Sequence, residues 1–127
     1  MADKYQDTVA KSKVTTNDEE VKAAVEKILN DNLKSAKTPE NLKLIFSCID
    51  LTTLKSTDSP SSVAKFTERV NDFENEHGDL PSVAAICVYP NFVQVVRTIL
   101  EVSEVEIAAV SGGFPSSQTF PEVKVAE

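Results

Sequence analysis

The chain has 127 residues, 41% hydrophobic, 26% charged and 6% aromatic, the proportions of one soluble globular domain with a core of its own. A formal net charge of -7, with no local cluster of Lys and Arg, disfavours nucleic acid as a partner. The longest uninterrupted apolar stretch, Val83 to Tyr89, is far short of the roughly 18 to 20 residues of a membrane span, and no apolar signal segment follows Met1, so a cytoplasmic chain without a membrane partner is expected.

Residues 1–16 are polar with no apolar period and read as a flexible N-terminal segment. Val21, Ala24, Val25, Ile28 and Leu29 then recur at helical spacing and form one stripe. Asn17 and Glu20 have the spacing of a capping box, and Thr38-Pro39 biases the chain away from helix, so this helix is expected to end near Leu33. Leu44 to Leu51 is apolar, short and rich in β-compatible residues, and reads as a first strand. Thr57-Asp58-Ser59-Pro60 offers N-caps, and Val63, Phe66, Val70 and Phe73 follow at spacings of three and four, predicting a helix over 60–75. Val83 to Tyr89 reads as a second strand, covered on both faces. A helix opening at Pro90 carries Phe92, Val93, Val96, Ile99 and Leu100, Val105 to Val110 forms a third strand, and a last helix begins around Pro121.

This alternation predicts a parallel sheet with right-handed crossovers. The last segment reads as the first turns of an element cut short, which suggests a fragment, and two open strand edges would offer self-association, for example as a homodimer. Cys48 and Cys87 lie in apolar runs rather than in a CxxC pair, so both read as buried thiols, with no disulfide and no metal site. His77, in the polar run Glu74 to Asp79, reads as a solvated loop residue.

Chemistry-bearing residues collect at the three strand ends: Asp50-Leu-Thr52-Thr53-Leu54, Cys87-Val-Tyr89-Pro90 and Ser111-Gly-Gly-Phe-Pro115. Ligands of α/β sheets sit at such carboxyl ends. Taken alone, Asp50 fits either a strand-end carboxylate or a turn cap bonded to the Thr52 or Thr53 amide. Thr52 fits a pocket or a turn, and Leu54 and Cys87 fit core. The Gly112-Gly113 pair lacks the Lys-Ser/Thr of a phosphate loop and reads as a tight strand exit.

Ile49-Asp-Leu-Thr-Thr-Leu54 closely resembles the first-strand motif of the deoxyribose-phosphate aldolases. Ala84-Ala-Ile-Cys-Val-Tyr-Pro90 resembles their second-strand motif, and Glu106-Ile-Ala-Ala-Val-Ser-Gly-Gly-Phe-Pro115 resembles their Val-Ser/Thr-x-Phe-Pro turn with one extra residue at Gly112-Gly113. The resemblance covers about residues 44–127. It implies that the α/β fold is part of a (β/α)8 TIM barrel, about three β/α units over 44–127, and the helix read over 17–43 precedes them as an N-terminal helical extension. The implied reaction is reversible cleavage of 2-deoxyribose 5-phosphate to glyceraldehyde 3-phosphate and acetaldehyde through a lysine Schiff base, a step of nucleoside catabolism that needs no cofactor. It further implies that Asp50 serves a proton relay and that Thr52, Leu54 and Cys87 line the substrate pocket. A complete barrel takes typically about 250 residues, and the strands that bear the family's Schiff-base lysine and phosphate loops have no counterpart here. Lys22, Lys27, Lys34 and Lys65 read as solvated helix residues, and Lys55, the one lysine beside a strand end, as a solvated loop charge. The chain alone is therefore expected to be inactive, and a sugar-phosphate substrate is expected only for a complete enzyme. Without the resemblance, the residues also fit an α/β module that binds a metabolite at its strand ends without turning it over.

Overall fold

The computed structural model describes residues 4–12 and 16–127, which divide into two compact units, one up to Thr38 and one from Pro39 onward. In the first unit, α1 spans Lys4–Lys11 and α2 spans Asp18–Ala36. The helix α1 falls within the segment read as flexible over 1–16 and gives part of it regular structure; residues 1–3 and 13–15 of that segment lie outside the described residues. Tyr5 and Val9, one helical turn apart, supply the apolar spacing that so short a run hides in a polar sequence.

The capping box at the start of α2 is formed as its spacing predicts: Glu20 N–H donates to Asn17 Oδ1 at 2.9 Å, and Asn17 N–H donates to Glu20 Oε2 at 3.3 Å. The helix runs past Leu33 to Ala36, where Lys37 N–H closes on the Leu33 carbonyl at 3.0 Å. The restriction imposed by Pro39 falls on Thr38 and leaves the residues before it free to stay helical. The stripe of Val21, Val25, Ile28 and Leu29 is exposed.

The second unit opens with α3, Pro39–Ser47, and this changes the reading of the first strand. Leu44 to Ser47 are helical, and the strand β1 is only Asp50–Thr52. A proline is tolerated in the first turn of a helix, where its missing N–H has no partner to lose. An apolar run of this length satisfies either period, and here the helix start decided it. Cys48 sits in the exposed link between α3 and β1, so the expectation that it is buried is corrected.

From there the prediction and the structure agree in order and type. The helix α4 spans Pro60–Glu76, β2 spans Ala85–Val88, a 3-10 turn at Pro90–Phe92 leads into α5 at Val93–Ile99, β3 spans Glu106–Ala109, and α6 spans Pro121–Ala126. Ser59 is the N-cap of α4, accepting from Ser62 N–H at 3.2 Å. His77 caps the other end and is exposed, its ring 4.9 Å from that of Phe73.

The strands form one parallel sheet in the order β1-β2-β3, with Leu51 opposite Ile86 and Ile86 opposite Ile107. That row, with Val88, faces the core with Val63 and Val70 of α4 and Val96 of α5. Side chains alternate across a strand, so the rows Asp50-Ala85 and Thr52-Cys87-Ala108 occupy the opposite face of the sheet. Hydrophobic burial thus fixes one face, and the register delivers Asp50, Thr52 and Cys87 together to the other.

Candidate active site

At the carboxyl end of the sheet, on the face away from α4 and α5, an open cleft of about 470 Å³ is lined by Asp50, Thr52, Leu54, Cys87, Val110, Ser111 and Phe114. All four residues singled out in the sequence are in it. Val110, Ser111 and Phe114 complete the wall from the β3 side; their sequence signal was the strand-end turn, which reads as geometry rather than as pocket.

Asp50 is exposed at the start of β1. A turn-cap role for it loses one partner, because Thr53 N–H extends the sheet ladder by donating to the Cys87 carbonyl at 3.0 Å. Thr52 keeps both of its readings: it lines the cleft, and its hydroxyl donates to the Asp50 carbonyl at 3.1 Å. Cys87 is 8% exposed and forms the floor between the two edge strands. Lys55 is exposed, its backbone N–H is bound to Asp58 Oδ2 at 2.9 Å, and its side chain is not part of the cleft wall.

The exit of β3 bends through two glycines with positive φ, Gly112 at 69° and Gly113 at 73°, a conformation that L side chains rarely adopt. Gly113 N–H donates to Glu127 Oε2 at 2.7 Å, and Ser117 Oγ donates to the Gly112 carbonyl at 3.0 Å. The pair is the tight strand exit its sequence predicts, and the bend carries the chain from Ser111 to Phe114 along the cleft rim.

No protein-family model matches the chain. A Caenorhabditis elegans protein named "Putative deoxyribose-phosphate aldolase" is 30% identical to it over 116 residues, covering 87% of this chain and 37% of that protein. A Bos taurus protein named deoxyribose-phosphate aldolase is 34% identical over 90 residues, 63% of this chain and 28% of its own length. The chain is homologous to the deoxyribose-phosphate aldolases. It spans about a third of the length of these aldolase relatives. The 87% coverage by the nematode protein is more than residues 44–127 can supply, so the similarity reaches upstream of the first strand motif into the helical region. Among the described residues, no helix is long and apolar enough to cross a membrane.

Proposed function

We propose that this chain is the N-terminal, Asp50-bearing part of a deoxyribose-phosphate aldolase, with its sheet forming the first three strands of a (β/α)8 barrel. The observation that carries this reading is the convergence of Asp50, Thr52, Leu54 and Cys87, the aldolase-like motif positions, on one cleft at the carboxyl end of a parallel sheet. The substrate is 2-deoxyribose 5-phosphate. A lysine amine condenses with its aldehyde carbon, releasing water and leaving an iminium that draws electrons from the neighbouring bond. Loss of the C3 hydroxyl proton then breaks the C2–C3 bond. Glyceraldehyde 3-phosphate departs and an enamine remains, which must be protonated at C2 before water releases acetaldehyde and frees the amine.

Asp50 supplies the proton-handling group for that sequence, acting on C2 through an ordered water or through the lysine. Thr52 offers a hydroxyl to the sugar, and Leu54 and Cys87 form its apolar wall. The reacting lysine belongs to strands beyond the three present, and the chain alone is inactive for want of it. Supplying the C-terminal part of the bovine relative in trans tests this: recovery of acetaldehyde release on mixing supports the reading, and well-folded parts that stay inactive together count against it.

The exposed edges of β1 and β3 favour a second reading, in which copies of the chain associate through them without catalysis. A chain that stays monomeric at high concentration in sedimentation measurements would rule that out.

A further inference from the structure

The loop from Thr53 to Ser59, between β1 and α4, carries the Leu54 wall of the cleft and is tied down from two directions. Thr53 Oγ1 donates to Asp58 Oδ2 at 2.9 Å and reaches Oδ1 at 3.1 Å, Lys55 N–H donates to Oδ2 at 2.9 Å, and Asp58 N–H donates back to the Lys55 carbonyl at 3.0 Å. From the end of β2, the Tyr89 hydroxyl donates to the Leu54 carbonyl at 3.0 Å, a bond between positions 35 apart in sequence. The Tyr89 side chain packs against the hydrophobic core, so its hydroxyl reaches the loop from a fixed base. Thr53 is buried and Asp58 half-buried, which places the carboxylate's charge-assisted bonds partly out of water, where they hold better.

A wall carried on a free loop would swing, and ordering it at each binding event would weaken the hold on a ligand. We propose that Tyr89 and Asp58 are positioning residues of this site: together they latch the loop so that Leu54 stands over Cys87 and sets the width of the cleft beside Asp50. The catalytic consequence rests on the aldolase reading above; the latch itself does not.

The test uses Tyr89→Phe, which removes one hydroxyl and keeps the ring, with Asp58→Ala and Asp58→Asn alongside. Amide hydrogen exchange is followed at Lys55 in the loop and at Ile86 in the core, and alkylation of Cys87 by iodoacetamide is followed against exposed Cys48 in the same molecule. Tyr89→Phe and Asp58→Ala are expected to speed exchange at Lys55 about tenfold and raise the Cys87-to-Cys48 alkylation ratio about fivefold, with Ile86 unmoved. Asp58→Asn retains an oxygen acceptor and is expected to restore most of the protection. With the C-terminal part supplied, Tyr89→Phe is expected to raise KM for deoxyribose 5-phosphate about fivefold and to leave kcat within about twofold. Unchanged exchange and alkylation in Tyr89→Phe overturn the latch, and faster exchange at Ile86 as well reduces it to general stability. A latch that behaves as expected beside a wild-type mixture with no aldol cleavage overturns the aldolase reading and leaves the latch standing.

Discussion

The side-chain amide of Asn71 donates to the Ile99 carbonyl at 2.8 Å, joining the middle of α4 to the last residue of α5. The same side chain accepts from Glu101 N–H at 3.0 Å, so one buried residue satisfies a helix-end carbonyl and the amide just beyond it. Removing it leaves both backbone groups unpaired. Asn71→Ala is therefore expected to destabilise the second unit by about 1–3 kcal/mol, read as a lower urea midpoint with an unchanged m-value.

The two glycines at the exit of β3 separate two costs. Both have positive φ, but a Cβ at Gly112 meets open space, whereas one at Gly113 lies 3.3 Å from Thr119 Cγ2. Gly112→Ala is expected to cost about 1–2 kcal/mol from backbone conformation alone. Gly113→Ala should cost more, because Thr119 must also give way, and paired denaturation curves of the two variants check that order.

Ile86 is fully buried at the centre of the sheet, between Leu51 and Ile107. Ile86→Ala should cost about 2–5 kcal/mol, the loss of transfer energy plus the cavity left behind. Thermal unfolding of the chain reads it directly, and a change below 1 kcal/mol would mean that the sheet collapses around the gap.

Asp50 is exposed, and the proposed relay role asks nothing of it in folding. Asp50→Asn is expected to leave stability within about 0.5 kcal/mol of wild type. In the complemented enzyme it should slow turnover by about 100- to 10,000-fold, the range set by loss of a proton-transfer group. A loss of stability with no loss of rate would make Asp50 a structural residue.

The order of helices and parallel strands was readable because it rests on local patterns, and the residues of the cleft were readable from their places at the strand ends. Val63 and Val70 recur at helical spacing after Ser59-Pro60 and mark the face of α4 that meets the core, whereas Ile86, Cys87 and Val88 are apolar alike, and only the register of the sheet separates the core face from the cleft face. The residues around Leu44 were not readable in the same way: an apolar run between a proline and an aspartate satisfies helix and strand alike, and Pro39 at the head of α3 resolved it toward helix. The helix α1 was hidden because its few apolar residues sit in a polar run. Asn71, Asp58 and Tyr89 lacked a signal for another reason. Their bonds to Ile99 and Leu54 span 28 and 35 positions, and the loop clasp of Asp58 looks in sequence like one N-cap candidate among three.

In the proposed function this chain holds the proton-relay side of an aldolase site and not its reacting lysine. Borohydride reduction in the presence of deoxyribose 5-phosphate, followed by intact mass, tests it most directly, first on the chain alone and then on its mixture with the C-terminal part of the bovine relative. No adduct is expected on the chain alone, and in the mixture an adduct confined to the C-terminal part is expected. An adduct on the chain itself, with Lys55 as its first candidate site, would contradict it.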